Sequence, residues 1–276
     1  MAYFDFILNL AGLLLWLNWR SIRFDPLTKR TPATLMGTLR PATPGKIQRW
    51  YLLLFLFAML GLRAVAYRWV VPFWVARLDV GVVTRPFRSD QFMGMVLFSF
   101  ASFGWVLLSF YIVLLLLSLL RGPDPIHRLV RIPLGRLDGW SPWIKLLLPF
   151  IGAATNWWLA DWAFSNLPPP LHDSLAKHFQ SGLLIGLQSY LVWKFPLGAL
   201  LSLHLLNSYI YFGKHPFWNY VNQTARTILR PLSPFSLRVG PVDFAPVVGV
   251  FLVFFAAEEA QQGLQLLHAI LLHYQK

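Results

Sequence analysis

Four ionisable side chains lie inside long apolar runs: Arg63, Lys194, Glu258 and Glu259. A charge near the centre of a membrane costs roughly 2.5–3.5 kcal/mol on insertion scales, so each must be paired, wet or in use. Counted from Trp50 and from Pro246, Arg63 and Glu258 share one depth, roughly 18–20 Å along a helix. An ion pair between Arg63 and Glu258 or Glu259 is therefore feasible, with Lys194 as a rival partner. Three kinds of chemistry follow: an interhelical ion pair that fixes packing, a contact with another subunit, or a path for protons or ions. Gln261 and Gln262 extend the polar stretch and keep the third open.

Other reactive residues form no motif by spacing. His268 and His273 are five apart and His172 and His178 six apart, whereas two ligands on one helical face need three or four. His127, His204 and His215 are isolated, and His204 has no acidic neighbour in sequence. No metal or other cofactor is expected. Asp161 lies beside Trp157, Trp158 and Trp162, which reads as a solvated carboxylate in an interfacial aromatic belt. Serine, histidine and aspartate are present, but no elbow or spacing groups them as a triad. With no cysteine, thiolate chemistry is excluded. The reading is non-enzymatic.

The elements that must hold these residues are membrane helices. The chain has 276 residues, 57% hydrophobic and only 13% charged, where a soluble domain carries about 25% charged residues. Apolar runs of 18 or more residues recur, each long enough to cross a roughly 30 Å hydrocarbon layer. Six segments follow: 3–19, 50–75, 92–120, 143–164, 182–212 and 245–274. Asp5, Asn9 and Asn18 interrupt the first, which either spans or lies along the interface. Met1 to Asn18 lacks the basic start and small-residue cleavage site of a secretory leader. The net charge of +13 sits in short loops rather than in a basic domain, which argues for membrane orientation and against nucleic-acid binding. The loops after segments one, three and five carry the larger basic excess. Placing them in the cytoplasm leaves the weakly charged loops, 76–91 among them, and both termini outside.

The helices also end and begin alike. Arg23–Pro26, Arg121–Pro125 and Lys214-His215-Pro216 each join a basic residue to proline after an odd-numbered segment, and proline with its restricted predecessor stops a helix. Asp138 to Pro142 precedes segment four and Asp243 to Pro246 precedes segment six; an acidic or hydroxyl cap before a first-turn proline starts one. Asp243 is placed to accept from the free amides of that turn. In the first copy Ser141 is the candidate cap, with Asp138 one turn outside. The repeated unit is helix in, basic cytoplasmic crossing, helix out. Within Pro216 to Leu229, apolar and polar residues interleave as in a surface helix at headgroup level. The expected fold is all-α: a polytopic bundle of about six spans in hairpins over 1–91, 92–181 and 182–276.

At Leu229-Arg230-Pro231, followed by Val242-Asp243-Phe244-Ala245-Pro246-Val247-Val248, the chain resembles the YggT/YlmG family of small integral membrane proteins of bacteria and chloroplasts. Gly240-Pro241 stands where that family usually has two glycines, and the first copy, from Arg131 to Pro142, matches less well. The resemblance covers roughly 92–255. It marks Arg230, Pro231, Asp243 and Pro246 as motif residues. It implies a role in envelope or membrane-complex processes, in the inner membrane of a bacterium, with no agreed enzymatic activity. The expected function is a scaffold or assembly subunit. Its basic face would engage anionic lipid or a protein partner, and its intramembrane charges would engage neighbouring helices. The alternative is an ion or proton channel or transporter using Arg63, Lys194, Glu258 and Glu259.

Overall fold

A computed structural model describes residues 2–22, 46–70, 75–88, 91–120, 130–165, 175–210, 215–233, 235, 237–239 and 242–273. These residues are mostly helical. The principal helices are α1 (Ala2–Ile22), α2 (Lys46–Val70), α3 (Phe92–Leu119), α4 (Pro142–Ser165), α5 (Leu175–Gln188), α6 (Lys194–Tyr209), α7 (Pro216–Leu229) and α8 (Ala245–His273). Arg23–Pro26, Arg121–Pro125, His127, His172, Lys214, Gly240 and Pro241 lie outside the described residues.

Among the described residues, four stretches are long and apolar enough to cross a membrane: Trp50–Trp69, Phe92–Leu119, Lys177–Tyr209 and Ala245–Leu271. Six were expected. The other two, α1 and α4, are helices of 21 and 24 residues that are not among these four. Asp5, Asn9 and Asn18 interrupt α1, and Lys145, Asn156 and Asp161 interrupt α4. Bulky apolar side chains such as Leu54, Leu62 and Trp69 of α2 and Phe251 of α8 are left on the outside. That suits a chain whose surroundings are hydrocarbon, where no hydrophobic gain attends their burial.

Two small two-stranded sheets interrupt an otherwise helical chain. The weakly charged loop at 76–91 is largely a β-hairpin, β1 (Val75–Val80) and β2 (Val83–Arg88). Ala76, Leu78 and Val80 are buried while Val75, Arg77 and Asp79 are exposed, the period of two that a half-buried strand requires. Gly81 turns the chain with φ +70°, a conformation in which a side chain is strained. The second pair, β3 (Arg238–Val239) and β4 (Val242–Asp243), leads into α8 with Arg238 opposite Asp243.

The chain forms two compact units. The first comprises Met1–Leu78, Arg85–Leu107 and Trp162–Leu171. Its core is Leu56, Leu60 and Phe103, packed by Leu15, Trp16 and Leu53. The second comprises Asp79–Thr84, Leu108–Asp161 and His172–Lys276. One of its clusters joins Leu114 and Leu115 to Val130 and Leu134, and another joins Leu200 of α6 to Tyr220 and Val221 of α7. Segment five, expected as one helix from Gly182, starts at Leu175 and breaks. A 3₁₀ stretch, Ser189–Trp193, separates α5 from α6. Pro196, in the first turn of α6, has no amide to offer the preceding turn. Side chains then hold the irregular stretch, with Tyr190 Oη donating to Leu146 O at 2.6 Å and Trp193 Nε1 to Ile112 O at 3.1 Å.

Candidate functional site

Arg63 is fully engaged within the first unit. Its Nη2 meets Asp5 Oδ1 at 2.7 Å, Nη1 donates to Asn9 Oδ1 at 2.8 Å, and Nε donates to Tyr67 Oη at 3.1 Å. Ser102 Oγ lies 3.4 Å from Nη2 and accepts from Asn9 Nδ2 at 3.1 Å. The guanidinium also sits over the rings of Tyr67 and Phe98, 5.6 and 5.5 Å from their centroids, a favourable place for a desolvated cation. The partner is thus Asp5, not the expected Glu258 or Glu259. Asp5 and Arg63 each lie about 17 residues, or roughly 25 Å of helix, from the segment joining α1 to α2. Equal depth in one antiparallel hairpin brings them together. The arrangement ties α1 to α2 and holds the cation through all three of its nitrogens.

A second charged cluster ties three elements of the other unit. Lys145, buried in the first turns of α4, donates from Nζ to Ser118 Oγ at 2.7 Å and to the Asp138 carbonyl at 2.6 Å. Ser118, near the end of α3, donates to Asp138 Oδ1 at 2.6 Å, and Arg131 Nε donates to Asp138 Oδ2 at 2.9 Å. Asp138, expected one turn outside the helix it precedes, is therefore the hub between α3 and α4. It stands in a 3₁₀ turn, Gly135–Gly139, entered through a positive φ at Gly135. The helix-start pattern marks Asp138 in the sequence but does not reveal Ser118, Arg131 and Lys145 as its partners.

Asp161 is corrected likewise. It is buried at 3% exposure and pairs with His178 of α5. Trp158 Nε1 donates to the His178 carbonyl at 3.1 Å and stacks on Phe179 at 5.5 Å. The carboxylate is matched by an imidazole rather than solvated by water. Periodicity on one helix could not reveal this, because the partner is on another helix.

Of the remaining charges, Lys194 begins α6 directly after the break, with Nζ 5.4 Å from the Phe195 ring. Glu258 and Glu259 are exposed on α8. Among the described residues no ion pair or side-chain hydrogen bond engages either glutamate. α8 is also the least covered of the four apolar helices: 6% of its stretch is buried, against 28% or 33% for the others.

Of the residues the resemblance marks, Arg230 and Asp243 line one cleft at the foot of α8. Asp243 Oδ1 accepts from the Ala245 amide at 3.0 Å, the cap expected of it. Pro246 is buried in the first turn. Leu229 ends α7, and Arg230, Pro231 and Leu232 form a 3₁₀ turn. α7 itself, the expected surface helix, starts with His215 Nδ1 accepting from the Phe217 amide at 3.2 Å. It buries Tyr220, Val221, Thr224 and Ala225 and turns Asn219, Gln223 and Arg226 outward. His204 of α6 has an amide partner where no acidic one was found: Nδ1 lies 2.8 Å from Asn222 Oδ1, which also accepts from Asn207 Nδ2 at 3.1 Å. A cleft of about 850 Å³ lies here, lined by Arg226, Arg230, His204 and Asp243 among others. Among the described residues no group of three or more histidines and carboxylates could hold a metal ion.

No protein-family model matches the chain, and neither a curated protein nor a solved structure does so.

Proposed function

We propose that the protein is a non-catalytic scaffold or assembly subunit of a larger membrane complex, of the YggT/YlmG kind, in a bacterial inner membrane. In this reading α1 and α4 span as well, making six crossings with the basic segments in the cytoplasm and both ends of the chain outside. The observation that carries it is α8. At 29 residues it measures about 43 Å, more than the roughly 30 Å hydrocarbon layer. With Ala245 at the membrane boundary, Glu258 lies about 20 Å along it. Two exposed carboxylates at that depth, unpaired among the described residues, call for a polar or cationic partner from another chain.

Affinity capture from native membranes in mild detergent tests this. The wild-type protein should retain a membrane protein partner, and Glu258→Gln/Glu259→Gln should retain about tenfold less, the equivalent of 1.4 kcal/mol. Recovery of the protein alone would sink the proposal.

The broken helix favours a second reading, an ion or proton path. Irregular backbone beside a lysine inside an apolar stretch is how transporters build ion and substrate sites. Proteoliposome flux that disappears in Lys194→Gln would favour it. The scaffold reading expects no flux from the wild-type protein.

A further inference from the structure

The segment from Ala225 to Leu232 contains two arginines one helical turn apart, Arg226 and Arg230. Residues four apart project from the same face. Like charges so placed repel unless something negative lies between them. Neither arginine has an ion pair or a side-chain hydrogen bond among the described residues, and both are exposed. By contrast, Arg63 is held by Asp5, Arg131 and Lys145 by Asp138, and Lys194 lies over an aromatic ring.

Both arginines line two neighbouring depressions. One, of about 510 Å³, is polar, with Asn219, Asn222 and Gln223. The other, of about 850 Å³, adds His204 and Ser233 but also an apolar wall of Leu229, Leu232 and Phe235. That volume falls within the range of small-ligand sites, roughly 300–1,000 Å³. Asp243 also lines it, engaged in capping Ala245, and the two arginines outnumber it. The Asn222 carbonyl oxygen holds the His204 Nδ1 proton, which leaves Nε2 without a protein partner among the described residues. The cleft thus combines cationic and apolar side chains in one lining, and Ala245, the first residue of a helix apolar enough to span, forms part of it.

We propose that this cleft is a headgroup site for an anionic phospholipid. Arg226 and Arg230 grip the phosphodiester, and Leu229, Leu232 and Phe235 cover the glycerol and the first methylenes. Arginine suits this task because its planar fork donates two parallel hydrogen bonds to a phosphate, which lysine cannot do. A free phosphate would satisfy the arginines but leave the apolar wall unused. The proposal rests on the membrane reading above but needs no protein partner, so lipid binding and partner capture fail independently.

The test uses the full chain, purified in neutral detergent, with native mass spectrometry and a titration of dioleoylphosphatidylglycerol. One bound lipid per chain is expected. At about 1 kcal/mol per basic residue near a charged surface, Arg226→Gln should weaken binding about fivefold, and Arg226→Gln/Arg230→Gln roughly 25-fold. The decisive variant is Arg226→Lys/Arg230→Lys, which keeps the charge and should still weaken binding. Equal binding by that variant would mean diffuse attraction and overturn the site. Arg136→Gln, an exposed arginine of another basic segment, should bind as the wild type does; a loss equal to that of Arg226→Gln would overturn the site too. Millimolar inorganic phosphate should not displace the lipid. Full displacement would assign the cleft to a soluble phosphate and overturn the lipid. Loss of a captured protein in the lysine variant with lipid binding intact would assign it to an acidic peptide, overturning the proposal as well.

Discussion

Arg63 shows what one residue has to satisfy at membrane depth. Five donors in a fixed fork cannot be buried without acceptors, and Asp5, Asn9, Tyr67 and Ser102 are all within reach. Removing one partner of a buried ion pair costs about 3–5 kcal/mol. Asp5→Asn should fall near the lower figure because the neutral acceptors remain, and it should lower the unfolding temperature in detergent. Adding Arg63→Met should restore part of the loss, since the stranded charge is then gone. An unchanged melting curve for Asp5→Asn would refute this account. In the Asp138 cluster the order of effects is informative. Lys145→Met leaves Asp138 bonded to Ser118 and Arg131, whereas Asp138→Asn leaves a buried ammonium with no carboxylate. Asp138→Asn should therefore be the more destabilising of the two in thermal unfolding. The presence of these charges was legible in the sequence but their partners were not. Depth counted from Trp50 and Pro246 treats every pair of helices alike. Only the α1–α2 hairpin decides that Asp5 is at hand for Arg63.

At the level of elements, hydropathy located every long helix but missed two interruptions. The hairpin at 75–88 carries its alternation openly, with Ala76, Leu78 and Val80 on one side and Gly81 at the turn. Its charges were read for sign rather than for period. The break at Ser189–Trp193 is invisible to hydropathy because Tyr190, Leu191, Val192 and Trp193 are as apolar as helix would be. Pro196 was the available signal. Helix contacts in this chain rest on small residues, as expected where apolar packing alone has little driving force. A Cβ on Gly198 of α6 would lie 2.6 Å from the Phe254 ring of α8, and one on Gly249 of α8 2.6 Å from Leu229 Cδ2 at the end of α7. Gly198→Val and Gly249→Val should each cost about 1–3 kcal/mol through overpacking. Gly263→Val, where a Cβ meets nothing within 4 Å, is the control and should melt with the wild type. If Gly198→Val melts with it as well, α6 and α8 do not pack through that glycine.

On the scale of the whole molecule, orientation depends on the placement of 24 lysines and arginines against 11 acidic residues. In the proposed topology, cations held on the cytoplasmic side by each of three loops set the direction of every helix between them. The native chain has no cysteine, so single introduced thiols report side without any background. Gly37→Cys, Arg136→Cys and Gln223→Cys sample the three basic segments; Arg136 is used because its neighbour Gly135 has φ +60°, where a side chain is strained. Arg77→Cys samples the hairpin between α2 and α3. In right-side-out vesicles an impermeant maleimide should label Arg77→Cys and leave the other three unlabelled until the membrane is opened. The result also tests α4, which is not among the four stretches apolar enough to span: Arg136 lies before it and Gln223 after it, so their shared side requires α4 and the α5–α6 pair to cross together or not at all. Labelling of Gln223→Cys from outside with Arg136→Cys protected would leave an odd number of crossings between them. The repeated-hairpin reading would then be wrong even though every helix is in its place.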